Sequence, residues 1–158
     1  MISDASPLNY TWSFGDGNTS SALSPTHSYS TYGAYPISLV VTSQNGCTDT
    51  YTSQANVFPL PVAEFSVPSA CEEEAAIFVN ASTVPTGTIS NYYWTFGDNG
   101  VSSLGNPTHA YQDPGVYPIH LLTTTDHGCQ DSTDGIIRIN PRPIIDFLAQ
   151  DVCQGYEV

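Results

Sequence analysis

Apolar and polar residues alternate with a period of two from Tyr10 to Phe14, so that Tyr10, Trp12 and Phe14 share one face and Thr11 and Ser13 the other. This is the pattern of a half-buried strand. It returns over residues 91–96, where Tyr92, Trp94 and Phe96 take the apolar side. Glycine-rich turns at 15–18 and 97–100 end both runs. Residues 35–41 and 116–125 are the clearest further strands, each followed by a Gly-containing hairpin (44–46 and 126–128) and a strand that begins at Cys47 or Cys129 and runs to Val57 or Asn140. Shorter strands are expected at 62–67, 76–81 and 108–111, and residues 19–24 read as a short edge strand or loop. No segment keeps a helical period.

The two halves of this pattern are copies. Residues 10–71 align without a gap to 92–153 at an offset of 82, with 24 of 62 positions identical. Trp-x-Phe-Gly-Asp, Pro-Thr-His-x-Tyr and Gly-x-Tyr-Pro-Ile-x-Leu all recur. A period of 82 residues is too long for a solenoid turn and suits a small domain repeated in tandem. About seven short strands per period, with one Trp each, predict an all-β fold of tandem immunoglobulin-like β-sandwiches. The expected organisation is a unit over 1–60 lacking its first strands, a complete unit over 61–141, and the opening strand of a third unit over 142–158. Phe58-Pro59-Leu60-Pro61 forms a stiff boundary, because X-Pro sequences favour extended backbone.

Charge narrows the function. Of 158 residues, 15 are acidic and only Arg138 and Arg142 are basic, giving a net charge of −13. Nucleic acid and anionic membrane surfaces need clustered cations, so neither is an expected partner. No apolar run reaches the roughly 18 residues of a membrane span, and residues 1–4 carry no signal-peptide pattern.

The motifs Trp-x-Phe-Gly-Asp, Asn-Pro-Thr-His-x-Tyr and Gly-x-Tyr-Pro-Ile resemble the polycystic-kidney-disease (PKD) repeat, an immunoglobulin-like sandwich of extracellular proteins. A Cys before the second strand and a Gly-Cys before the last resemble PKD arrays in very large surface adhesins of gliding Bacteroidetes-type bacteria. The resemblance implies an extracellular, cell-surface stalk that holds an adhesive element away from the cell and carries force. Its partners would be neighbouring units of the same chain, and surface polysaccharide or other cell-surface proteins. The alternative it implies is a non-catalytic accessory or substrate-binding module of a secreted hydrolase.

Trp12, Phe14, Tyr35, Trp94, Phe96 and Tyr117 are expected to form structural core rather than sugar platforms, since alternation turns both tryptophans inward. Asp16 and Asp98 sit in tight turns, where a carboxylate can accept backbone N–H groups. They are also candidates for Ca2+ ligands, although the spaced Asp/Asn series of a dedicated calcium loop is missing. No other cofactor is expected. His27 and His109 share a repeat position and are expected to hydrogen-bond loop backbone, one per unit being too few for zinc. No nucleophile with an oriented base is recognisable, so an enzyme is not expected. Asn9, Asn18 and Asn80 head glycosylation triplets, and Asp131-Ser132-Thr133 resembles a bacterial O-glycosylation motif.

Cys47, Cys71, Cys129 and Cys153 form two repeat-related pairs and fit an oxidising compartment. Their connectivity has two readings. Cys71 and Cys129 belong to one unit, but immunoglobulin topology places them at opposite ends, about 20–25 Å apart at the usual rise per strand residue. In the second reading each bonds a neighbouring unit and staples the array end to end.

Overall fold

The computed structural model describes residues 8–146, and every regular element in that span is a strand. In the first unit β1 (Asn9–Ser13), β2 (Thr19–Ser20), β3 (Gly33–Thr42) and β4 (Thr48–Val57) form one antiparallel sheet in the order β2-β1-β3-β4. In the second unit β9 (Ile89–Thr95), β10 (Val101–Ser102), β12 (Gly115–Thr125) and β13 (Gln130–Asn140) repeat that order as β10-β9-β12-β13. The register is preserved too: Trp12 faces Leu39, and Trp94 faces Leu121.

The second unit adds the opposing layer. Here β5 (Phe65–Ser66) pairs with β8 (Val79–Asn80), and β7 (Ala75–Ile77) pairs with β11 (Thr108–Ala110). Trp94, Phe96, Ile119, Leu121, Ile137 and Ile139 project from the large sheet and are buried against Ala76 and Phe78. Trp94 is wholly enclosed, with the rings of Phe65 and Phe78 edge-on at 5.3 and 5.7 Å. Phe65 reaches it across Gly135, where a Cβ would lie 2.7 Å from the ring. The outward side chains of the same strands, Tyr93, Val116 and Ile136, stay exposed.

The strands differ from the expected ones in three places, each set by a partner far along the chain. The strand expected at 62–67 shrinks to Phe65–Ser66, with Val62 left in a single antiparallel bridge to Thr83, because side chains claim the N–H groups between them: the Ala63 N–H donates to Asp131 and the Glu64 N–H to Ser82 Oγ. The strand expected at 76–81 starts at Ala75 and divides at Phe78, whose N–H turns to the Pro107 carbonyl while the strand changes partners. The loop carrying Cys71 contains a further strand, β6 (Ala70–Cys71), which runs parallel to the end of β13 with Cys71 opposite Asn140.

Among the described residues the first sheet has no such opposing layer. Its inward side chains are therefore only partly covered: Trp12, Ile37, Leu39 and Val41 are half-buried where Trp94, Ile119, Leu121 and Thr123 are buried. Phe14 alone among its large residues is buried, at 6% exposure.

Candidate functional site

A polar cluster recurs in both units where the Trp strand ends. In the second unit Gly97 turns the chain with φ +80°, so that Asp98 can fold back. One oxygen of Asp98 accepts the Gly100 N–H at 2.9 Å and the other meets His109 Nε2 at 2.7 Å. The imidazole stacks on Phe96 at 4.3 Å and meets the edge of Tyr111 at 4.7 Å. Tyr111 is itself buried, donates its hydroxyl to the Phe96 carbonyl at 3.0 Å, and packs on Tyr117 at 4.3 Å.

The first unit reproduces every contact. Asp16 accepts the Asn18 N–H at 3.0 Å and the Asn18 amide at 2.9 Å, and pairs with His27 Nε2 at 2.7 Å. His27 stacks on Phe14 at 4.2 Å, and the Tyr29 hydroxyl donates to the Phe14 carbonyl at 3.0 Å. His27 and His109 thus bind a side-chain carboxylate, not the loop backbone that the sequence pointed to. The clue lay in the repeat: Asp and His are 11 residues apart in both copies.

The electrostatics follow from these contacts. Burial works to raise the Asp16 carboxyl, but the Asn18 and His27 hydrogen bonds outweigh it and hold the group at about 2. Asp98 is lowered on the same balance, against desolvation, by His109 and the Gly100 N–H. Burial pushes the Tyr111 hydroxyl upward, with the Asp98 charge adding to it. A carboxyl whose folded pKa is depressed stabilises the fold above its unfolded value of 3.8 and loses that contribution as pH falls through the folded value. The melting temperature should therefore fall as pH drops from about 4 towards 2. Asp98→Asn should flatten the drop, and an unchanged slope in that variant would show that the pairing carries no stability.

This arrangement pins a loop. Both oxygens of each aspartate are already engaged, and no group of three or more His, Cys, Asp or Glu side chains close enough to hold a metal occurs among the described residues. The Ca2+ candidates Asp16 and Asp98 each face N–H donors and a histidine. The other two histidines also pair with carboxylates, His120 with Asp134 at 2.7 Å and His127 with Asp126 at 2.9 Å.

The remaining candidates are scattered. Trp94 is fully enclosed and can present no face to a sugar. Tyr35 and Tyr117 are half-buried, their hydroxyls donating to the carbonyls of Thr31 and Asp113. Asn9 and Ser132 are exposed, while the amide of Asn18 is tied to Asp16 and the side-chain oxygen of Asn80 accepts the Ser82 N–H. Cys47, Cys71 and Cys129 are free thiols, and Cys153 lies outside the described residues. The Cys71–Cys129 bond that the sequence left open is excluded by geometry. Cys71 sits beside Asn140, at the far end of the 11-residue β13 from Cys129. At about 3.3 Å per residue the two are more than 30 Å apart, against the roughly 7 Å a disulfide tolerates.

The junction between the units, expected as a stiff boundary from its X-Pro sequence, carries side-chain contacts as well. Phe58 stacks on His127 at 3.6 Å, and Pro59 and Pro61 are buried. A groove of about 420 Å3 opens beside this linker, lined by Tyr29, Tyr32, Val57, Phe58, Leu60 and Pro85.

Fold and loop geometry together define a tandem immunoglobulin-like β-sandwich whose one repeated polar cluster fastens a turn. The PKD domain model matches residues 2–59 and again 56–138, and the chain belongs to the PKD domain family. The pre-pro-metalloprotease PrtV of Vibrio cholerae is 27% identical over 135 residues, which cover 80% of this chain and 14% of that protein. Collagenase ColA of Clostridium perfringens is 33% identical over 84 residues, covering 51% of this chain and 8% of the collagenase. The solved PKD1 domain of the Vibrio cholerae metalloprotease is 31% identical, covers 51% of this chain and 98% of its own, and superposes with a TM-score of 0.47. The chain thus spans a small fraction of the curated relatives it matches.

Proposed function

We propose that this chain is a non-catalytic accessory segment of a secreted protein-degrading enzyme, placing a catalytic domain relative to an extracellular protein substrate. The observation that carries this reading is the alignment of 80% of the chain with a metalloprotease, joined by separate matches to collagenases. The polar cluster supports it, because the repeated Asp and His side chains are consumed in fastening turns and offer no nucleophile with a base. Substrate contact would fall to exposed aromatic surface such as Tyr32, Tyr51 and Tyr93. Mixed with insoluble fibrillar collagen, the 158-residue chain is expected to sediment saturably. Sedimentation no greater than with inert beads would remove the substrate-contact role.

A second reading, the stalk of a cell-surface adhesin, draws on the linker. Buried prolines and the Phe58–His127 stack hold one unit against the next, as a force-bearing array requires. Neighbouring units, surface polysaccharide or cell-surface proteins would then be the partners, and many further 82-residue repeats in the parent gene would favour this reading over the first.

A further inference from the structure

Two observations meet at one backbone carbonyl. Within the second unit Cys71 lies opposite Asn140, and the next N–H along, that of Glu72, donates to the Asn140 carbonyl at 3.0 Å. The residue at the Asn140 position of the first unit, 82 positions earlier, is Phe58. The Phe58 carbonyl lies 4.0 Å from Cys129 Sγ of the second unit. By equivalence of the two units, the carbonyl at this repeat position is neighboured by a β6 cysteine of its own unit, as at Asn140, and by the hairpin cysteine of the following unit, as at Phe58.

We propose that successive units of this repeat are joined by a disulfide between the β6 cysteine of one unit, at the Cys71 position, and the hairpin cysteine of the next, at the Cys129 position. The reach is sufficient. A Cα preceding an N–H that bonds the carbonyl at 3.0 Å lies within about 5.5 Å of that oxygen, and a cysteine sulfur extends a further 2.8 Å or so, a span that one χ1 rotation sweeps. Cys71 and Cys129 are half-buried, so oxidant can approach both. The bond forms by thiol–disulfide exchange: the two thiols lose two protons and two electrons to one glutathione disulfide, which leaves as two glutathione thiols. It closes the joint beside the Phe58–His127 stack and would convert a packed linker into a covalent one.

The test supplies each cysteine with its neighbour. In one variant a copy of residues 61–82 is placed directly before residue 1, giving the first sheet its own opposing layer and a β6 cysteine beside Phe58. After equilibration with glutathione disulfide and digestion without reductant, mass spectrometry should show the added cysteine joined to Cys129 and Cys71 still titratable. Cys129→Ser should restore the added thiol. An added cysteine left free, or joined to Cys47, overturns the proposal. In a second variant a copy of residues 59–140 follows Asn140, and Cys71 should be lost from thiol titration together with the added hairpin cysteine. Cys71 found free or bonded to Cys129 there overturns the proposal even if the first extension fails to fold.

Discussion

Trp94→Ala is expected to destabilise the second unit by about 3–5 kcal/mol, the range for removing a fully buried large side chain. Domains of about 80 residues are stable by only about 4–12 kcal/mol, so this loss takes much of the margin. The cost follows from what covers the indole. Phe65 and Phe78 close over it from the opposing layer, and Nε1 donates to the Leu104 carbonyl at 2.9 Å, so truncation leaves both a cavity and an unpaired acceptor. Trp12 occupies the same register and makes the same bond, to the Ala22 carbonyl at 3.1 Å, but its face stays half open. Trp12→Ala should accordingly cost about 1–2 kcal/mol, since little apolar area returns to water. Urea unfolding followed by circular dichroism separates the two. Equal losses would mean that the opposing layer contributes nothing to holding the tryptophan.

What the sequence made legible was whatever repeats with a short period. The alternation around Trp12 and Trp94 located the central strand of each sheet, and the gap-free offset implied equivalent registers in the two units. The Trp, Phe and Gly-Asp positions followed from the same pattern. Contacts set by a partner far along the chain stayed hidden. Pairing of His109 with Asp98 spans 11 residues and depends on the turn that Gly97 opens. The shortening of the strand expected at 62–67 depends on Asp131, which takes the Ala63 N–H from 68 residues away. β6 escaped because two residues carry no periodicity, and a parallel pairing with β13 leaves no hairpin signal. The tie at Phe58 was invisible for a similar reason: the two prolines announced stiffness, but the ring's partner is in the next unit's hairpin.

Gly97→Ala should be the most damaging substitution outside the core, at about 3–5 kcal/mol, within the upper tail of single-residue effects. Two costs combine there. The backbone sits at φ +80°, where an L-residue with a Cβ costs about 1–2 kcal/mol. The Cβ itself would lie 2.6 Å from both the ring Cδ and the carbonyl oxygen of Pro118, neither of which is the free end of a flexible side chain. Pro118 stands inside β12, so relief must come from moving the turn, which pulls Asp98 from His109. Gly128 separates the two costs within the same unit. It has φ +81° but nothing within 4 Å of the place a Cβ would take, so Gly128→Ala should cost only the conformational part, about 1–2 kcal/mol. The Gly17 position of the first unit behaves alike: its counterpart Asn99 already adopts φ 72° with a full side chain, whereas the Gly15 counterpart of Gly97 is again pressed against a proline, Pro36. Thermal unfolding of the two variants, with the His109 ring resonances as a monitor of the loop, decides the matter. If Gly97→Ala melts with Gly128→Ala and leaves those resonances in place, the close approach to Pro118 does not dictate glycine in this turn.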